Sequence, residues 1–207
     1  MPEPLTKTEF QRLTGVSRET LERFDTYSES LRRWRRAVNL VGSATLRDGW
    51  RRHFLDCAQL WPHLPSPAGR VVDLGSGAGF PGLVLAILGA GDVHLIESDG
   101  RKVEFLREAA RVTGTQVTIH AARIEAVAPL RAGVVTARGC APLKRLLPLA
   151  SRHLGTGGIC LFPKGRHVDA ELTEAQKKWN MRIGRIPSRS EPSGVILKLE
   201  AVSRETS

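Results

Sequence analysis

The residues with the most pointed chemistry in this 207-residue chain lie in one short segment, Val71-Val72-Asp73-Leu74-Gly75-Ser76-Gly77-Ala78-Gly79-Phe80-Pro81-Gly82. The apolar run at 70–74 reads as a buried strand, and Pro81 suits the first turn of a helix. Glycines between the two let the backbone turn sharply and approach a ligand with no Cβ in the way. A second apolar run, 92–97, ends on Glu97, twenty residues after Gly77, with Ser98 beside it. A carboxylate there can accept hydrogen bonds from both ribose hydroxyls of an adenosine. Two ligands compete for this pattern. Gly77, Gly79 and Gly82 satisfy the dinucleotide fingerprint G-x-G-x-x-G. Asp73, however, would sit beside a diphosphate and repel it, whereas S-adenosylmethionine carries a cationic amino-acid end and a sulfonium that an acid favours. The loop therefore favours S-adenosylmethionine over NAD, and Tyr27, the only tyrosine, lies in no Tyr-x-x-x-Lys pair of an oxidoreductase.

The acceptor is narrowed by motifs the chain lacks. It has no Asn/Asp-Pro-Pro-Tyr/Phe tetrapeptide to hold an exocyclic amine, and Cys140 and Cys160 lie outside the Pro-Cys or Thr-Cys contexts of a cytosine-C5 nucleophile. No paired His/Asp constellation marks a base for a hydroxyl acceptor, so no side chain is assigned as catalytic. What remains is an acceptor already nucleophilic, such as a purine ring nitrogen, for which proximity, alignment and desolvation suffice. His53 and Asp56 stand three apart on a predicted helix and share a face; the histidine reads as structural, with Asp56 orienting it. Cys57, Cys140 and Cys160 form no C-x-x-C pair and read as small buried thiols, with no disulfide framework and no metal site.

The elements that must hold these residues follow from periodicity. Thr6 with Glu9 makes a capping-box pattern, and Ser17 is a second N-cap candidate. Leu21, Phe24, Tyr27, Leu31, Trp34 and Val38 then recur at helical spacing, so residues 1–60 read as a helical segment packed on a main domain of residues 61–207. Apolar runs at 70–74, 92–97, 115–119, 132–136 and 157–162 read as buried strands. Stretches near 81–90, 99–113, 123–128, 142–154 and 168–179 read as helices, and the tail as two final strands about a Pro/Ser/Gly turn. Strand–helix alternation implies an α/β fold with a parallel sheet covered on both faces. Taken with the glycine loop and the resemblance given below, the expected form is a doubly wound, mostly parallel seven-stranded sheet of the S-adenosylmethionine-dependent methyltransferase type, with an N-terminal helical extension and the last strand antiparallel. The N-terminus lacks a signal-peptide run, and no stretch of 18 apolar residues exists to cross a membrane, so a cytoplasmic location is expected. A monomer is the expected state.

Charge adds a partner. Lys and Arg total 31 against 21 acids, a net charge of +10, which points to a polyanion such as nucleic acid. Residues 31–53 hold seven arginines (Arg32, Arg33, Arg35, Arg36, Arg47, Arg51, Arg52) against the single acid Asp48. A solvated face usually mixes signs, so this stretch and the Lys164–Arg189 region are candidate tracks for RNA phosphates.

Several segments together resemble the ribosomal RNA small-subunit methyltransferase G family, also called the glucose-inhibited division protein B family. They are Asn39-Leu40-Val41, Arg52-His53-Phe54-Leu55-Asp56, the loop with its Phe80-Pro81-Gly82 extension, Glu97-Ser98-Asp99-Gly100-Arg101-Lys102, Arg123-Ile124-Glu125, Thr136-Ala137-Arg138-Gly139-Cys140-Ala141-Pro142-Leu143 and Lys164-Gly165. The resemblance spans roughly residues 35–168 and departs from the family pattern at Cys57, Gly139 and Phe162-Pro163. It implies methylation of N7 of a guanine in the 530 loop of 16S ribosomal RNA, naked or in a small-subunit particle. Carried over, the cofactor contacts are Gly75, Phe80, Ile124, Glu125 and Arg138, beside Asp73, Gly77, Glu97 and Ser98. Arg51, Arg52, Arg138 and Lys164 are the expected substrate contacts, Arg138 serving either the methionine carboxylate or guanine O6. A methyltransferase for another RNA or a small molecule is the alternative.

Overall fold

Apolar runs alternating with amphipathic stretches dictate a sheet buried on both faces, and the chain builds one of seven strands. The structure, a computed structural model, describes residues 3–205, without the side chains of residues 43 and 44. Helices come first: α1 (Lys7–Thr14), α2 (Arg18–Trp34), a short α3 (Ser43–Leu46), a π-helical segment Trp50–Leu55 and α4 (Asp56–Ala58). The sheet region then runs β1 (Arg70–Leu74), α5 (Gly82–Ile87), β2 (Asp92–Glu97), α6 (Gly100–Val112), β3 (Thr118–Ala121) and β4 (Ala132–Thr136). It ends with α7 (Leu143–His153), β5 (Leu154–Lys164), α8 (Val168–Gln176), β6 (Trp179–Pro187) and β7 (Val195–Arg204). Strand order is β3-β2-β1-β4-β5-β7-β6, and β7 is antiparallel to both of its neighbours. The order reverses between β1 and β4, which opens a crevice at their carboxyl ends.

Side chains alternate across the sheet. Val71, Val134, Ile159 and Leu161 face a core shared with α5, α6 and the N-terminal helices, while Val72, Val135, Cys160 and Phe162 face one shared with α7 and α8. The N-terminal segment is thereby welded to the sheet. The α2 stripe Leu21, Phe24, Tyr27 and Leu31 is buried, and Tyr27 stacks on Phe80 of the glycine loop with ring centroids 5.4 Å apart. The Thr6/Glu9 capping box and the Ser17 cap both form. Trp50 packs against Phe10 and Phe54 and is not a stacking platform for a base.

Three expectations shift. Helix α2 ends at Trp34, so Val38 is buried by a turn and Arg35 and Arg36 lie beyond the helix. The third strand starts at Thr118, because Thr113 and Thr115 are spent stopping α6: Thr113 Oγ1 donates to the Ala109 carbonyl and the Thr115 amide to that of Ala110, around Gly114 at φ 58°. The expected helix at 123–128 is a single 3₁₀ turn, Ile124–Ala126, because the chain goes extended at Val127 (φ −78°, ψ 132°) on its approach to Pro129. Pro163 is tolerated late in β5 because the pairing with β4 has ended at Leu161.

Candidate active site

The glycine loop leaves β1 at Leu74 and is fixed from three sides. The Ser76 amide donates to the Ile96 carbonyl at 3.0 Å, tying the loop to β2. Tyr27 of α2 donates its hydroxyl to the Ala78 carbonyl from above. Asp73 braces it from below: Oδ2 accepts from the Gly82 amide and Oδ1 from Thr136 Oγ1, each at 3.1 Å. Asp73 is wholly buried, which pushes its carboxyl up to about 6, and it lines neither cavity described below. Asp73, expected as a cofactor contact, is the one such residue that the structure does not bring to the cavity wall: the acid holds the first turn of α5 against β4.

In front of the loop lies a cavity of about 770 Å³, walled by Gly75, Gly77, Phe80, Glu97, Ser98, Ile124, Glu125 and Arg138 among others. Eight of the nine expected cofactor residues are thus brought together, Asp73 being the ninth. The Glu97 carboxylate is the organising acid: Oε2 accepts from the Gly77 amide and Oε1 from the Asp99 amide, both at 2.8 Å. Each oxygen keeps capacity for a further donor, as two ribose hydroxyls require. Gly75 sits at φ 65°, and a Cβ on it would stand 2.8 Å from Cys140 Sγ. Gly77 sits at φ 55° with nothing nearer than 3.8 Å to such a Cβ, so that part of the wall is bare backbone open to a ligand. Cavity size, paired acceptors and bare loop fit an adenosine carrying an amino-acid tail. Cys140 lines this cavity, so it is not the buried thiol that was expected; Cys57 and Cys160 are buried. Desolvation raises its thiol pKa, which disfavours the thiolate.

A second cavity, about 410 Å³, meets the first at Leu40, Val41, Arg138 and Gly139. Arg138 is the hinge between them. Its guanidinium lies 4.7 Å over the Phe80 ring and donates to the Arg52 carbonyl (2.9 Å), to Asp56 Oδ2 (3.1 Å) and to His53 Nδ1 (3.1 Å). Because a guanidinium only donates, His53 Nδ1 is the bare nitrogen. The proton sits on Nε2 and is donated to Thr45 Oγ1 at 3.1 Å, whose own hydroxyl goes to the Gly42 carbonyl. Burial, Arg138 and Arg52 lower the His53 pKa to about 3, so it is neutral at physiological pH. Asp56 bonds Arg138 and not His53, so the orienting role expected of it passes through the arginine.

The expected substrate cations separate. Arg52 and Lys164 line the second cavity with Arg138; Arg51 lines neither, being turned to Asp48 and to the Glu3 carbonyl. The Lys164 ammonium is held by Glu171 at 2.8 Å and the Ala141 carbonyl at 3.2 Å.

Over residues 20–190 the chain matches the family described as rRNA small subunit methyltransferase G. It is 57% identical over 196 residues to the Ribosomal RNA small subunit methyltransferase G of Rhodospirillum centenum, covering 95% of this chain and 91% of that protein. To the protein of the same description from Paramagnetospirillum magneticum it is 58% identical over 191 residues, covering 92% and 93%. The chain belongs to the rRNA small subunit methyltransferase G family. Among solved structures it is similar to a TehB-like SAM-dependent methyltransferase from Corynebacterium glutamicum, with a TM-score of 0.58 and 15% identity over 86% of this chain and 98% of that one. A ribosomal protein L11 methylase from Lactobacillus delbrueckii subsp. bulgaricus gives 0.52 and 19% over 66% and 70%. These two likenesses are of fold. The family, the methyltransferase sheet and S-adenosylmethionine as methyl donor stand as the sequence implied.

This member of the rRNA small subunit methyltransferase G family also carries site residues that sequence reading passed over. Gln59, Ser188, Ser190 and Glu191 complete the second cavity. Gln59 Oε1 accepts from the Arg189 amide at 2.7 Å, and Ser190 Oγ donates to Asp56 Oδ1 at 2.5 Å. Gln59 caps the end of α4 and the other three lie on the β6–β7 loop, over a hundred residues away. Only the Pro/Ser/Gly composition of that loop signalled anything, and it signalled a turn. Among the described residues no cluster of three or more His, Cys, Asp or Glu could hold a metal, and no helix is long and apolar enough to cross a membrane.

Proposed function

We propose that this protein transfers a methyl group to N7 of a guanine in the 530 loop of 16S ribosomal RNA, naked or in a small-subunit particle, in the cytoplasm. The observation that carries the reading is the junction at Arg138, where a cavity suited to S-adenosylmethionine meets a second cavity whose histidine is locked neutral. S-adenosylmethionine supplies an electrophilic methyl on a positive sulfur. Glu97 would hold its ribose, Ile124 pack on its adenine with Glu125 at the polar edge, and Gly75 and Gly77 admit its amino-acid end.

Guanine N7 has a lone pair and no proton. Its attack forms the C–N bond as the S–C bond breaks; the positive charge passes to the purine ring and no proton is released. The chain therefore has to align and desolvate, and has nothing to deprotonate. That agrees with His53, whose nitrogens are both engaged and whose conjugate acid forms only near pH 3. Arg138 holds the junction, and Phe80, Leu40 and Val41 line it with apolar surface.

The alternative, a small-molecule or other RNA acceptor, fits less well with a net charge of +10 and the one-sided arginines of residues 31–53. Mass mapping of 16S ribosomal RNA from a deletion strain tests the choice. Loss of one 7-methylguanosine from the 530 loop, restored by the gene, is expected; an unchanged methylation map would contradict the reading.

A further inference from the structure

The wall of the second cavity carries a carboxylate, Glu191, for which the methyl transfer itself has no use. We propose that this cavity is the pocket for the flipped target guanine, and that Glu191 reads its N1–H and N2-amine edge. The inference rests on the guanine-N7 reading and deepens it.

The chemistry of the base sets the orientation. On guanine, O6 adjoins N7, while N1–H and the N2 amine lie on the opposite side. A guanine that presents N7 at the junction therefore places O6 near Arg138. That guanidinium has used three of its five N–H groups on Arg52, Asp56 and His53, and its Nε–H and one terminal N–H have no partner among the described residues. An arginine donating to O6 is the commonest guanine contact known. The donor edge then points away from the cofactor, toward residues that line only the second cavity.

Of the two carboxylates there, Asp56 is the more heavily engaged: three protein donors reach it, Arg138 on Oδ2 and Ser190 and Gln59 on Oδ1. Glu191 keeps more acceptor capacity: its Oε2 takes Arg52, and the Ser193 hydroxyl approaches Oε1 at 3.4 Å. Arg52 holds the Glu191 carboxyl below the usual range, so it is ionised at neutral pH. The loop that carries it is rigidly framed: the Ser188 amide donates to the Gly194 carbonyl at 3.0 Å, and the Arg189 amide to Gln59. An acceptor-only group facing two adjacent donors selects guanine; adenine would turn its N1 lone pair toward the carboxylate and be repelled.

The test uses the full chain and its RNA substrate, carrying guanine or, by ligation of a synthetic fragment, inosine at the target. Inosine keeps N7, O6 and N1–H and lacks only the N2 amine. Wild type should methylate guanine at least about tenfold faster than inosine under single-turnover conditions, the scale of one lost recognition contact. In Glu191→Gln the guanine rate should fall and the preference shrink below about threefold, with affinity for S-adenosylmethionine unchanged. The ratio is the readout because it cancels changes in folding. Equal wild-type rates on the two bases would overturn the proposal without any variant, as would a Glu191→Gln protein with wild-type rate and preference. Failure of wild type to methylate N7 at all would instead overturn the reading beneath it.

Discussion

Glu97 and Arg138 are the two side chains on which the chemistry turns, and their environments predict different failures. Glu97 meets two loop amides before any ligand arrives. Glu97→Ala should weaken S-adenosylmethionine binding by about 1.5–3 kcal/mol, the range for charge-assisted hydrogen bonds lost from a ribose. Calorimetry reads this directly, and unchanged affinity would remove Glu97 from the site. Arg138 joins both cavities, so Arg138→Ala should slow the chemical step on the order of a hundredfold through misalignment. His53→Ala should cost less than tenfold, because a lost general base usually costs 10²–10⁴ and His53 is not one. The histidine matters to stability instead. Its pKa, lowered from 6.5 to about 3, means that the unfolded chain binds the proton first, so its contribution is present above about pH 6.5 and is lost as pH falls toward 3.

At the scale of elements, the β1–loop–α5 unit was legible down to its glycines, yet the role of its acid was not. Sequence spacing puts Asp73 beside the ligand; the fold turns it inward, because residue 73 at the end of β1 faces Gly82 and Thr136. Gly82, the third glycine of the G-x-G-x-x-G pattern, has the helix–strand packing role that this pattern gives its third glycine: a Cβ there would lie 2.4 Å from Leu95 Cδ2 and 2.7 Å from Asp73 Cβ. Gly82→Ala should therefore cost about 2–3 kcal/mol of stability by overpacking, measured by denaturant unfolding. Asp73→Asn can keep both bonds, its carbonyl accepting from Gly82 and its amide donating to Thr136. The Asp73 carboxyl is raised from 3.8 to about 6, so the wild type gains stability as pH falls through that window and loses it as pH rises. The asparagine variant should gain on wild type by up to about 3 kcal/mol between pH 4 and pH 7, at about 1.36 kcal/mol per unit. A stability gap between the two that does not move with pH would contradict this. The strands and main helices were readable because burial on both faces leaves unbroken apolar runs. The 3₁₀ turn at Ile124 and the end of α2 were not, because Pro129 and a turn after Trp34 override the local periodicity. The second cavity was invisible because the pairing of β5, β7 and β6 is what carries the 188–194 loop to α4.

Over the whole molecule the +10 charge is unevenly spread. Arg32, Arg35, Arg36 and Arg47 line one depression on the N-terminal helical segment, while Arg51 and Lys164 are held by protein acids. RNA affinity should therefore fall steeply with salt while cofactor affinity barely moves. Replacing Arg32, Arg33, Arg35 and Arg36 together should reduce the log–log salt slope by up to about 3, at about 0.7–0.9 per phosphate contact. A slope unchanged by the fourfold replacement would make these arginines a solvated face. The central claim is that methyl transfer goes to a nitrogen that carries no proton. Single-turnover methylation of the RNA substrate at saturating cofactor, followed from about pH 6.5 to 8.5 for wild type and His53→Ala, tests it most directly. The account predicts a nearly flat rate in both proteins, with the product mapped as 7-methylguanosine. A steep rise through pH 7 that disappears in His53→Ala would show that a base is required, and would contradict it.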